Sequence, residues 1–177
     1  MRVEIVGEIA SLKDRFRPGG REPSEKVNES QILANFRAAV SGKDSFFRLQ
    51  DCVAGFPGQP GETHGAYAGQ FMIAFRRLDL SGDRNLYLIL RQTLQELLKE
   101  ASSSDALFAT MCVRAPAAEE ARPPELSLVL QLEAIGSTPE QAEVRWSLGL
   151  AHVQEALLCA SRLLMQRLSD VPPTFRG

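Results

Sequence analysis

The longest regular pattern in the chain runs from Thr138 to Ser169. Within it, apolar residues recur at alternating intervals of four and three, the spacing that places side chains on one face of an α-helix. These residues are Trp146, Leu150, Val153, Leu157, Ala160 and Leu164. A helix of about 30 residues is about 45 Å long, so the rest of the chain has to supply a long apolar surface to cover it.

The sequence also marks both ends of this helix. The Thr138 hydroxyl can accept a hydrogen bond from the Gln141 amide, and the Gln141 side chain can reach back toward the helix start. Pro139 stands where no amide donor is needed, and two consecutive prolines after the pattern cannot continue it. We therefore predict one helix from Thr138 to Ser169.

A second group of apolar residues makes this helix more apolar than one packing contact requires. A helix that packs on one surface needs an apolar stripe about 100° wide, and this helix exceeds that width. The additional residues are Leu148, Ala151, Leu158 and Met165. We predict that one face packs on the domain's own sheet and that this second group contacts another chain, most simply in a homodimer.

Alternation of apolar and polar residues with a period of two predicts the strands. The predicted strands cover 3–9, 47–53, 71–75, 107–113 and 126–133, and further helices cover 28–42 and 84–101. The last of these segments has two interpretations: one helix, which we favour, or a strand followed by a shorter helix. The glycine-rich segment 54–69 is predicted to be irregular, and the last two strands are predicted to pair antiparallel. The residues predicted to form the core are Ile5, Phe36, Phe47, Phe71, Ile73, Phe75, Leu97, Leu128, Leu130, Leu157 and Leu164.

These elements describe one α+β domain over residues 1–170, with a flexible C-terminal tail at 171–177. The predicted sheet has about five strands, antiparallel or mixed, and the long helix packs on it. The first six elements follow the order β-α-β-β-α-β and resemble ferredoxin-like domains in element order alone, over about Met1 to Arg114. An alternative is a curved antiparallel sheet wrapped around the last helix, as in helix-grip domains. Neither fold specifies a function.

Composition excludes several classes of protein. The net charge of −2 gives no general attraction to nucleic acid or to anionic membranes. No apolar run approaches the roughly 18 residues of a transmembrane helix, and the N-terminus lacks the uninterrupted apolar stretch of a signal peptide. The three cysteines form no C-x-x-C pair, which favours reduced thiols. We expect a soluble, cytoplasmic protein that binds neither nucleic acid nor membranes.

Few residues are candidates for catalysis or metal binding, since the chain has only two histidines. His64 lies in the glycine-rich segment and is a weak catalytic candidate. Together with Glu62 and Tyr67 it is also a candidate for ligand binding. His152 and Glu155, three residues apart on the long helix, could offer two metal ligands. An exposed helix pair explains them more simply, so we expect no metal.

Two functional classes remain. The first is a non-enzymatic assembly protein, a homo-oligomeric scaffold or adaptor whose partner is itself and possibly another protein. The alternative is a ligand-binding domain or weak enzyme whose site lies under the segment 54–69. Neither a glycine-rich nucleotide motif nor a nucleophile elbow occurs. We therefore expect no cofactor, and the first class is favoured.

Overall fold

The structure is a computed structural model that describes residues 1–9, 31–43, 45–56, 65–101, 106–115 and 125–169. The strands in these ranges are β1 (Arg2–Ile5), β2 (Phe47–Gly55), β3 (Gly65–Phe75), β4 (Leu107–Arg114) and β5 (Ser127–Gly136). The helices are α1 (Gln31–Val40), α2 (Leu78–Ser81), α3 (Arg84–Ala101) and α4 (Pro139–Ser169). The predicted α+β fold with a long C-terminal helix is confirmed. Residues 171–177, predicted to be a tail, lie outside the described ranges.

The strands of the described chain form one mixed sheet in the order β1-β4-β5-β3-β2. β1 pairs with β4 in parallel, and the other neighbours are antiparallel. The ferredoxin-like order is not confirmed, because β1 lies at one edge beside β4 and β5 separates β4 from β3. The predicted antiparallel pairing of the last two strands is confirmed.

Apolar side chains of β3 and β5 meet in register at the centre of the core. Phe71 pairs with Leu130 and Ile73 pairs with Leu128, and all four side chains are fully buried. Alternation along each strand sends these residues to one face. The other residues predicted to be core and found buried are Phe36, Phe47, Phe75, Leu157 and Leu164.

The long helices pack on that same face of the sheet. The ring of Phe71 lies 4.9 Å from Phe36 of α1 and 6.2 Å from Trp146 of α4, measured between ring centroids. Phe75, four residues further along β3 and on the same face, lies 4.7 Å from Tyr87 of α3. α4 contacts both α1 and α3. It is therefore the central helix of the layer.

α3 is one continuous helix, as favoured from the sequence. The Asp83 carboxylate caps it by accepting the backbone N–H two residues further on, at 2.8 Å. Its buried Tyr87 hydroxyl donates to the Leu126 carbonyl at 2.5 Å and accepts the Phe75 N–H at 3.2 Å. These bonds tie α3 to the adjoining ends of β3 and β5.

Three predictions about β1 and α3 are wrong: where β1 ends, and the burial of one residue in each of the two elements. β1 ends at Ile5 rather than at residue 9, and Ile5 is 37 % exposed because it is the last residue of this edge strand. Leu97, predicted to be core, is only partly buried. On α3 the residues that face the core are instead Tyr87, Leu90, Leu94 and Leu98.

The segment 54–69 was predicted to be irregular, but both of its ends are strand. β2 continues two residues into it, and β3 begins at Gly65. A Cβ atom at Gly65 would lie 2.3 Å from the Thr138 carbonyl oxygen, and one at Gly69 would lie 2.5 Å from the Trp146 ring. These glycines therefore serve close packing inside the sheet rather than a turn.

Candidate functional site on the outer face of the C-terminal helix

Hydrogen bonds at the start of α4 determine where the helix begins. The Thr138 hydroxyl accepts the backbone N–H of Gln141 at 3.2 Å. The Gln141 side chain accepts the backbone N–H of Ser137 at 2.8 Å. Two N–H groups without helical partners are thereby satisfied, close to the arrangement predicted. A fixed start also fixes which residues of the helix face the sheet.

One face of α4 is anchored to the sheet through Trp146. Its indole N–H donates to the Leu132 carbonyl at 3.1 Å, and its ring lies 4.8 Å from the Tyr67 ring. The inner seam, which we define as the six residues predicted from the sequence to face the core, is buried along its whole length: Trp146, Leu150, Val153, Leu157, Ala160 and Leu164. The internal packing of α4 is thus complete on this face.

The opposite face of α4 carries a second row of residues at intervals of four and three. We call this row the outer seam: Val144, Leu148, Ala151, Glu155, Leu158, Arg162 and Met165. Val144 is 60 % and Leu148 is 61 % exposed, and Ala151 is also exposed. Three successive seam positions in the first half of the helix therefore present apolar side chains to solvent.

The four residues predicted as an oligomer contact all lie on this outer seam. Leu148 and Ala151 are exposed, Met165 is 37 % exposed, and Leu158 is partly buried. Val144 was missed from the sequence, although it lies one helical turn before Leu148 and continues the spacing. The structure shows where these residues lie, and the contact itself stays a prediction.

In its second half the outer seam borders a groove between α1 and α4. The groove has a volume of about 420 Å³ and is lined by Ala38, Ala39 and Leu158 among its apolar residues. Of the lining residues that the structure describes, Lys43, just after α1, and Arg162, on α4, are cationic. The groove therefore combines apolar walls with positive charge.

A buried serine beside this groove joins α4 to the sheet. The Phe46 backbone N–H donates to the Ser161 hydroxyl at 3.0 Å, and Ser161 itself is buried. The bond satisfies a backbone group at the start of β2, where an unmade hydrogen bond would be costly. It holds the groove wall of α4 at a fixed distance from β2.

The start of α4 is acidic, in contrast to this groove. Glu140 and Glu143 are both exposed in the first turns. A hydrogen bond from its own backbone amide, and a second with Thr138, lower the pKa of the Glu140 carboxyl. The helix dipole favours a negative charge at this end. The outer seam thus lies between acidic residues at the start of α4 and the basic groove.

The residues predicted for ligand binding are only partly within the described chain. Glu62 and His64 lie outside it, so their suggested roles stay predictions. Tyr67 is on β3 and is buried, with its ring between Trp146 and Phe56, 4.8 Å from each. Burial, together with the negative charge of nearby Glu143, raises the pKa of the Tyr67 hydroxyl. The suggested role of Tyr67 in ligand binding therefore also stays a prediction.

His152 and Glu155, considered from the sequence as metal ligands, differ in exposure. His152 is partly buried and its Nδ1 atom has no hydrogen-bond partner among the described residues, whereas Glu155 is exposed. Within the same part of the chain, no group of three His, Cys, Asp or Glu side chains could hold a metal ion. The helices of the described ranges include none that is long and apolar enough to cross a membrane.

The three cysteine thiols form no disulfide with one another. This holds for Cys52, Cys112 and Cys159 alike. Burial raises the pKa of the Cys112 thiol, which keeps it protonated and unreactive near neutral pH. Cys52 accepts a hydrogen bond from the Arg37 guanidinium at 3.0 Å. No disulfide therefore constrains the fold.

Comparison with known protein families, with curated proteins and with solved structures finds no match. The outer seam of α4 has to be interpreted from its own geometry and charge.

Proposed function

We propose that this is a cytoplasmic, non-enzymatic assembly protein that forms a homodimer through the outer seam of α4 and acts as a scaffold or adaptor. The observation that carries the proposal is the exposed apolar row Val144, Leu148 and Ala151. Covering a side chain such as Leu148 contributes about 1–2 kcal/mol. The absence of a disulfide among the three cysteines accords with a reducing compartment.

A second copy of the chain is the partner that best fits this surface. Alternating intervals of four and three are the spacing by which two helices interlock side chains along a common seam. From Val144 to Met165 the seam extends about 32 Å at 1.5 Å per residue. That length is sufficient for a stable interface, which buries roughly 800 Å² on each partner. Closed two-fold pairs are the commonest arrangement of identical chains.

Replacing Leu148 by glutamate tests whether α4 makes the contact. The side chain is 61 % exposed in one chain, so Leu148→Glu has little effect on the fold of the monomer. In a dimer it buries two charges at the seam, and we expect dissociation at micromolar concentration in sedimentation velocity. The matched control is Ile89→Glu on α3, where the side chain is 42 % exposed and does not belong to the outer seam.

The expected result is a wild-type dimer, a dimeric Ile89→Glu variant and a monomeric Leu148→Glu variant with an unchanged circular dichroism spectrum. If both substitutions leave the dimer intact, its contact lies elsewhere. A wild-type monomer at the highest soluble concentration would remove the proposal. Protection of the segment 54–69 by a small ligand in such a monomer would favour the ligand-binding alternative.

A further inference from the structure

Among the described residues, the charged side chains near the two ends of the outer seam form no ion pairs. Glu140 and Glu143 lie at the start of α4, whereas Arg162 and Lys43 line the groove near its other end. The ion pairs found among the described residues involve none of these four. These charges are therefore not neutralised by ion pairs within that part of the chain.

Symmetry allows two directions for the second helix, and charge distinguishes them. A two-fold axis parallel to α4 places the helices side by side in the same direction. It then sets Glu140 against Glu140 and Arg162 against Arg162, and such like-charge contacts are unfavourable. An axis across α4 makes the helices antiparallel. It sets the acidic end of each copy beside the basic groove of the other.

We propose that the dimer is antiparallel and that the first turns of one α4 lie over the groove between α1 and α4 of the second copy, with Glu140 between Lys43 and Arg162. This inference rests on the proposed function, because it specifies the partner arrangement of the same surface. Each dimer contains this contact twice, once at each end of the shared seam.

The spacing of the outer seam supports this register. When Val144 of one copy lies opposite Arg162 of the other, Leu148 lies opposite Leu158, and Ala151 lies opposite Glu155. The leucine pair covers the apolar wall of the groove. The small Ala151 side chain leaves room for the Glu155 carboxylate to extend to solvent. A charged residue at one seam position commonly sets register in paired helices.

The antiparallel arrangement predicts which charge substitutions weaken the dimer and which combinations of variants restore it. We expect Glu140→Arg and Arg162→Glu each to weaken the dimer by about tenfold, since each places like charges together at both ends. In an equimolar mixture of the two variants, each chain supplies the charge that the other lacks. The mixture should form a heterodimer that is tighter than the dimer of either variant alone, and the double variant should regain affinity in the same way. Recovery is partial, because Lys43 keeps its positive charge beside residue 140.

Sedimentation equilibrium over a dilution series, with one variant carrying a cleavable mass tag, measures all of these affinities. Circular dichroism checks that each variant is folded. Weakening by both single variants with recovery in the mixture supports the antiparallel register. A dimer that Leu148→Glu disrupts but that neither charge variant weakens contradicts the register while leaving the proposed function standing. A monomeric wild type contradicts both.

Discussion

The contact between Trp146 and Gly69 gives a sharp prediction about stability. A Cβ atom at residue 69 would lie 2.5 Å from Cζ2 and 3.1 Å from Cε2 of the indole. Carbon atoms pack best at about 3.5–4.0 Å, so Gly69→Ala requires the ring to move by about 1 Å. The ring is buried and bonded to the Leu132 carbonyl, and it cannot move without disturbing its neighbours.

The magnitude follows from three contributions. Overpacking a core costs about 1–3 kcal/mol, and a weakened Trp146 hydrogen bond costs about 1 kcal/mol. Replacing glycine by alanine in a strand returns about 0.5–1 kcal/mol. We therefore expect Gly69→Ala to lower the free energy of unfolding by about 1–3 kcal/mol. Urea denaturation followed by far-ultraviolet circular dichroism measures this change independently of the indole environment.

The matched control is Gly149→Ala on α4. A Cβ atom there would lie 2.7 and 2.8 Å from the two terminal methyls of Leu107, the far end of a flexible side chain rather than a rigid ring. Alanine also favours the helix by about 1 kcal/mol, so the expected change is within about 1 kcal/mol of zero. Unchanged or increased stability of Gly69→Ala, or a larger loss for Gly149→Ala, would refute the reasoning.

Other predictions concern the hydrophobic core and the hydrogen bonds of buried side chains. Leu130→Ala should lower the free energy of unfolding by about 2–5 kcal/mol, because the residue is fully buried at the sheet centre; a loss below about 0.5 kcal/mol would contradict this. Ser161→Ala should cost about 1–3 kcal/mol in urea denaturation by leaving the Phe46 N–H unpaired. Burial raises the pKa of the Tyr87 hydroxyl above its value of about 10 in the unfolded chain. Above that pH the unfolded chain loses this proton first, so stability should fall, and the fall should be smaller in Tyr87→Phe.

The features that the sequence predicts well are those set by local periodicity. All six inner-seam residues of α4 are buried, because a single helix phase decides which side chains face the sheet. The capping residues around Thr138 also form bonds close to those predicted. These features depend on neighbours within a few positions, which the sequence shows directly.

The features that the sequence predicts poorly depend on contacts between distant segments. Gly65 and Gly69 lie in a stretch whose glycine content is typical of a loop, yet both are strand residues. Glycine is needed at these positions because Thr138 and Trp146 pack closely against them. The strand order also depends on contacts between distant segments. β5 lies between β3 and β4, and no local pattern in the sequence predicts these pairings. In the candidate site, Lys43 and Arg162 are far apart in sequence. Only the packing of α1 on α4 brings them to one groove.

The mass of the wild-type protein in solution tests the central claim most directly. Sedimentation equilibrium from low to high micromolar concentration gives that mass without any substitution or label. A homodimer through α4 predicts a mass that approaches twice the 19.5 kDa of one chain and declines toward it on dilution. A mass of 19.5 kDa throughout the range would contradict assembly through this helix.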